Sequence, residues 1–152
     1  MSDHGRDYNI SVLDSALQVL ETFLGQGRGE QNLTEISQRL GLNKSRTFRI
    51  LATLERHGFV EHDPATKTYR LGLRLLELGS AVQRRLSIIP AARPVMDELA
   101  LATGEAVFLG IVDGDQCLVI DKRESQHPIR LYGEVGRRSP LHVGGVPKTL
   151  LA

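Results

Sequence analysis

The stretch from Leu33 to Leu71, LTEISQRLGLNKSRTFRILATLERHGFVEHDPATKTYRL, constrains the fold more than any other part of the chain. Two short amphipathic segments flank Gly41, the second stops at Gly58, and two β-rich runs follow, Phe59 to Glu61 and Thr68 to Leu71. Thr34 is a good N-cap for the first segment, which turns Ile36 and Leu40 inward, and Asn43 can cap the second, Lys44 to about His57. Glycine at a helix end and Asp63-Pro64-Ala65-Thr66 between the β-rich runs are turn chemistry with a mechanism: free φ, fixed φ and a side chain that bonds its own backbone. Helix, turn, helix and hairpin in that order outline a winged helix-turn-helix, which sets one helix against the major groove of a duplex.

The flanking sequence supplies the remaining elements. From Ser11 to Leu24, Val12, Ala16, Val19 and Phe23 recur at helical spacing with Leu13, Leu17, Leu20 and Leu24 beside them, which predicts a first helix with a wide buried face. Gly25, Gly27 and Gly29 break it. After the wing, Leu73 to about Ser87 reads as a linker helix whose Leu75, Leu78, Val82 and Leu86 fall within about 80° of arc, a stripe suited to packing on the body or to pairing with a second copy. Pro90 marks the break, and a helix from Pro90 to about Thr103 is expected to bury Ala92, Val95, Met96, Leu99 and Ala100, ending at Gly104. Ala106 to Val112 and Gln116 to Lys122 are strands around the turn Asp113-Gly114-Asp115. Ile129 to Tyr132 supplies a third strand, Gly136 to Pro140 a loop, and Lys148 to Ala152 the start of a helix. The expected organisation is a disordered tail (1–10), a winged helix-turn-helix domain (11–72), a linker helix (73–88) and a second, mixed domain (89–152); the fold class is α+β.

Composition narrows the class without naming it. The 152 residues are 41% hydrophobic and 24% charged, ordinary values for a globular chain with room for two small cores. The net charge is only +1, with twelve Lys and Arg against ten Asp and Glu up to Ser87 and seven against eight from Ile88 on. Total charge therefore does not announce a nucleic-acid binder, and the argument rests on where particular charges point. No apolar run approaches the roughly 20 residues that span a bilayer, and MSDHGRDYN lacks the apolar core of a signal peptide, so a cytoplasmic location and no membrane partner are expected. Cys117, the single cysteine, lies in the apolar run up to Ile120 and reads as core.

At 100° per residue, Ser45, Arg46, Arg49, Thr53 and Arg56 share an arc of about 100°, with Phe48, Leu51, Ala52 and Leu54 assigned to the opposite, anchoring side. Arg reads guanine O6 and N7 bidentately, while Ser and Thr hydroxyls suit phosphates or adaptable base contacts. Lys44 and Thr47 are candidate phosphate clamps, Thr34 joins them at the start of the preceding helix, and His62, Lys67 and Arg70 of the wing face the backbone or the adjacent minor groove. The competing readings are an ordinary solvated helix face and a winged helix used only for protein contacts. Chemistry for catalysis is lacking: His57, His62, His127 and His142 have no metal spacing, no Gly-rich loop follows a strand, and Asp113 and Asp115 belong to a turn. No enzyme, metal or cofactor is expected.

With these segments in place, the chain resembles the IclR family of bacterial transcription regulators. The resemblance runs from Val12 to the last residue and rests on SVLDSALQVLETF, GLNKSRTFRILATLERHGFVEHD, YRLGLRLLELG and the tail PLHVGGVPKTLLA. It implies an N-terminal winged helix on double-stranded operator DNA, a linker helix that helps form a homodimer or higher oligomer, and a C-terminal domain similar to GAF or profilin-like folds that binds a small metabolite. Family members commonly repress genes of carbon-source or aromatic-compound catabolism. Pro147 departs from the glycine usual before the lysine, which the first turn of a helix tolerates. Family members also continue beyond residue 152, so the expectation is a partial effector domain. In it Arg137, Arg138, Ser139 and His142 line one wall for an organic acid, which binds only with the missing C-terminal half. The alternative is a protein-interaction module, for instance a mixed-dimer partner of a full-length regulator.

Overall fold

The computed structural model describes residues 9–24, 29–125 and 133–151. The expected tail up to residue 8 and the strand Ile129 to Tyr132 lie outside them. The chain divides into two compact units, Met1–Ser80 and Ala81–Ala152.

In the first unit, α1 (Ser11–Glu21) is followed by β1 (Glu30–Asn32), α2 (Leu33–Leu40), α3 (Lys44–Arg56), β2 (Val60–Asp63) and β3 (Thr68–Leu71). The strands form an antiparallel sheet in the order β1-β3-β2. β1 was not legible in the sequence: three residues, Glu30-Gln31-Asn32, carry no alternation, and pairing of Gln31 with Tyr69 is what makes them a strand. α2 is capped by Asn32, not Thr34. The Asn32 Oδ1 accepts from the backbone N–H of Thr34 and Glu35 at 2.9 and 3.0 Å, and the Glu35 carboxylate accepts the Asn32 N–H at 2.9 Å. This reciprocal box satisfies donors that no helix can satisfy for itself, worth about 1 kcal/mol. Gly41 then takes φ +64°, the left-handed turn where a side chain would be strained, and Asn43 caps α3 through the N–H of Arg46 at 2.8 Å.

The core of this unit is Val19, Phe23, Ile36, Ile50, Leu51, Val60 and Tyr69. α1 ends three residues before the sequence pattern suggested and buries Ser15 and Val19; Val12, Leu13, Leu17 and Leu24 are exposed, so the wide apolar face is only partly covered. The free carbonyl of Thr22 beyond its end accepts from Gln31 Nε2 and Arg39 Nη1, both at 2.9 Å, tying three elements together. At the far end of β3, Gly72 passes so close to Gly58 that a Cβ would overlap the Gly58 carbonyl oxygen, and its N–H donates to Phe59 at 2.8 Å. That closure fixes where the wing ends and α4 (Leu73–Gln83) begins. α4 is shorter than the predicted linker helix and buries no residue.

The second unit contains α5 (Ile88–Thr103), β4 (Val107–Asp113), β5 (Gln116–Arg123), β6 (Arg138–Pro140) and α6 (Gly145–Thr149). Its antiparallel sheet runs β4-β5-β6, with a two-residue turn at Gly114-Asp115. Two expectations are corrected. Arg138 to Pro140 is an edge strand in register with β5 rather than the expected loop, because Gln116, Cys117 and Leu118 offer an unpaired edge that a short segment can fill. α5 begins at Ile88 with Pro90 inside its first turn, where a missing N–H costs nothing, and turns Ile89 and Met96 inward while Val95 and Leu99 stay exposed. α6 likewise begins earlier, with Pro147 buried in its first turn. Beside the buried Ile89 and Met96, α5 is tied to the sheet by charge: Arg93 pairs with Asp121 at 3.2 Å, and Arg123 pairs with Asp97 and with Asp121. Cys117 is fully buried on β5. No helix among the described residues is long and apolar enough to cross a membrane, and none of their His, Cys, Asp and Glu side chains form a metal-binding group.

Candidate nucleic-acid interface

α3 is anchored by Thr47, Ile50 and Leu51. Its opposite side presents Lys44, Ser45, Arg49, Thr53 and Arg56 to solvent. Lys44, Arg49 and Arg56 make no ion pair or side-chain hydrogen bond with another described residue, so their charges are available to a ligand. Thr53 spends its hydroxyl on the Arg49 carbonyl at 2.9 Å.

Two residues assigned to this face do other work. Thr47 is 0% exposed and donates its hydroxyl to the Asn43 carbonyl at 3.1 Å, so it is part of the anchor rather than a phosphate clamp. Arg46 is half-buried and donates to the Ser11 carbonyl and Ser15 Oγ at 3.1 and 2.9 Å, clamping α3 against α1. Conversely, Phe48, placed on the anchoring side from its type, is 54% exposed, and Ala52 is exposed with it. The angle of Phe48 is equidistant from Leu51 and Ser45, so periodicity alone could not decide its side; the buried pair Thr47 and Ile50 was the missing reference.

The wing residues divide in the same way. Lys67 stands at the hairpin tip with φ +57°, exposed and without an ion pair to a described residue. The Asp63 Oδ1 accepts the Ala65 N–H at 2.8 Å, and that bond holds its carboxyl below the usual range while shaping the turn. Arg70 is exposed but engaged by Glu61 at 2.7 Å, the hydrogen bond that raises its pKa further, so its charge is paired within the wing. His62 is half-buried and stacks on Tyr69 with ring centroids 4.5 Å apart, which leaves it an edge rather than a face; burial pushes the Tyr69 phenol up. Thr34 lies half-buried in the first turn of α2.

In the second unit the four residues expected around an organic acid do not form a convergent set. Arg138 is paired with Asp113, Ser139 is its immediate neighbour on β6 and so points to the other face, and Arg137 and His142 are exposed.

An anchored helix carrying three uncommitted cations on its open side, preceded by a left-handed glycine turn and followed by a cation-tipped hairpin, defines a winged helix-turn-helix protein. The chain matches the family models for the IclR helix-turn-helix domain over residues 12–64 and for the bacterial transcriptional regulator IclR C-terminal domain over residues 80–152. It belongs to the IclR family. It is 36% identical over 143 residues to the HTH-type transcriptional regulator XynR of Escherichia coli (strain K12), covering 94% of this chain and 56% of XynR. It is 38% identical over 144 residues to the HTH-type transcriptional regulator KdgR of Dickeya chrysanthemi, covering 91% and 47%. An IclR homologue from Microbacterium hydrocarbonoxydans, crystallised with 4-hydroxybenzoate, superposes with a TM-score of 0.78 at 25% identity over 92% of this chain and 57% of that one. The chain thus spans about half the length of the curated relatives it matches.

Proposed function

We propose that the chain is a sequence-specific DNA-binding transcription regulator that acts as a homodimer on double-stranded operator DNA in the cytoplasm, and that it represses by occupying the promoter. The observation that carries this reading is the open face of α3, where Lys44, Arg49 and Arg56 hold no partner among the described residues while the opposite face is locked into the core. Arg49, at the middle of that face, reads a base; Lys44, Ser45, Arg56 and the wing-tip Lys67 hold phosphates. The relatives that the chain matches are transcriptional regulators by name.

The dimer reading rests on the stripe Leu75, Leu78, Val82 and Leu86 along α4 and just past its end, where Leu78 and Val82 are exposed and Leu75 and Leu86 half-buried, together with the uncovered Leu13 and Leu17 of α1. Isolated surface leucines need no explanation, but a run of them at helical spacing suits a two-helix seam. For the second unit, the ligand reading is a small organic acid, by likeness to the Microbacterium homologue with its bound 4-hydroxybenzoate, and it requires a C-terminal domain of family length. Arg137, Arg138 and His142 of the expected set are exposed, Arg138 while paired with Asp113.

A salt titration of binding to the chain's own upstream DNA tests the central claim. Counterion release predicts a linear fall of log K with log salt at a slope of about −0.9 per phosphate neutralised, so affinity drops steeply between low and physiological salt. Binding that is flat in salt would assign the cationic face to a protein partner instead, as in a module that only forms mixed dimers.

A further inference from the structure

An exposed phenyl ring in the middle of a cationic helix face calls for an occupant. Phe48, Ala52, Ser45, Arg56 and Arg49 share one arc of about 100° on α3, at 100° per residue. Phe48 and Ala52 are one turn apart and both exposed, so they form a small apolar strip beside Arg49. The core does not claim the ring: Thr47, Ile50 and Leu51 fill that role. An apolar protein surface is a poor match, since it would bury Arg49 and Arg56 without an anion. Duplex DNA satisfies both kinds of residue at once. In its major groove the only apolar feature of a base-pair edge is the thymine 5-methyl group, which Phe and Ala side chains contact, and it shares the groove floor with the guanine acceptors that Arg reads.

We propose that Phe48, with Ala52 one turn on, selects thymine by enclosing its 5-methyl group, next to the base that Arg49 reads. Four residues of helix rise about 6 Å, and stacked bases are about 3.4 Å apart, so the strip spans about two base-pair steps. The preference is therefore for one thymine, or two neighbouring ones, in each half-site. This specificity rests on the DNA-binding reading above and adds to it a base identity.

The test uses the full chain and a random-sequence duplex pool about two helical turns long. After selection, the enriched duplex is resynthesised with deoxyuridine replacing thymidine one position at a time, which removes only the methyl group. Wild type is expected to lose about fourfold in affinity at one or two positions per half-site, the worth of one buried methyl. In Phe48→Ala that penalty vanishes and the thymine duplex binds only as well as wild type binds the uracil one; Phe48→Leu retains part of the discrimination, and Arg49→Ala retains the uracil penalty while relaxing a different position. Because Phe48 lies outside the core, both substitutions should leave the melting temperature unchanged. A uracil penalty that persists undiminished in Phe48→Ala, or an enriched duplex with no uracil penalty anywhere, overturns the proposal alone. A pool that enriches no sequence overturns the DNA reading with it. Loss of self-association in Phe48→Ala with intact thymine discrimination would assign the ring to a protein contact.

Discussion

Arg46 and Arg49 are three positions apart on one helix and differ in everything that matters for binding. Arg46 is bonded to α1 through Ser11 and Ser15, whereas Arg49 has no partner among the described residues. Arg49→Ala is therefore expected to leave unfolding unchanged and to cost about 1 to 3 kcal/mol of operator affinity, with relaxed preference at one base pair. Arg46→Ala should instead lower stability by about 1 kcal/mol, the net worth of such hydrogen bonds, and weaken all sequences together. Denaturant melts beside binding isotherms on matched and mismatched duplexes separate the two; equal stability losses in both variants would contradict the assignment. Lys67→Ala at the wing tip should weaken every sequence about equally and reduce the salt slope by about one. Residue type made all three look alike in the sequence. Arginine, lysine and threonine on a helix face read as ligand contacts until the partners are known, and the partners of Arg46 and Thr47 come from α1 and from the helix's own cap, one too distant in sequence and the other too local for periodicity to show.

Among the elements, those with strong caps and regular periods were legible in advance: α3 between Asn43 and Gly58, and the β4-β5 hairpin around Gly114. The illegible ones, β1 and β6, are three residues each and owe their conformation to a neighbouring edge, a nonlocal cause that leaves no local pattern. α5 was placed but its rotation was not, because Val95 and Leu99 fit the apolar period as well as Ile89 does. In the rotation observed, Ile89 and Met96 face inward while Arg93 and Asp97 reach Asp121 and Arg123 on β5. Burial pushes the Asp121 carboxyl up, but the hydrogen bonds from Arg93 and the Lys122 N–H and the nearby Arg123 charge outweigh it, so its pKa in the folded chain lies below the ordinary 3.8. Its contribution to stability is thus complete above the unfolded value and is lost as pH falls through the folded one. Asp121→Asn should cost about 1 to 3 kcal/mol at neutral pH, a deficit that shrinks as pH drops below about 3.8. Thermal melts across that range read it directly, and a deficit that does not change with pH would mean that the carboxylate is not what holds α5.

At the scale of the whole molecule, the sequence stripe on α4 suits either burial in the monomer or pairing between copies. The exposure of Val82, at 59%, and of Leu78, at 47%, favours pairing. Wild type should sediment as a dimer at about tens of micromolar, the range of moderate-affinity association, and Val82→Glu should sediment as a monomer with its fold intact and its affinity for paired half-sites reduced. A monomeric wild type under those conditions ends that reading. The division into two units, with residues 81–152 holding the only thiol of the chain, gives Cys117 a use unrelated to its packing. Sealed inside β5, its sulfur meets a reagent such as an aromatic disulfide only during moments when that strand lifts away, while the DNA-reading unit offers the reagent nothing. The colour released on labelling is then a clock for breathing of the C-terminal unit alone, present in the natural chain with no engineered label.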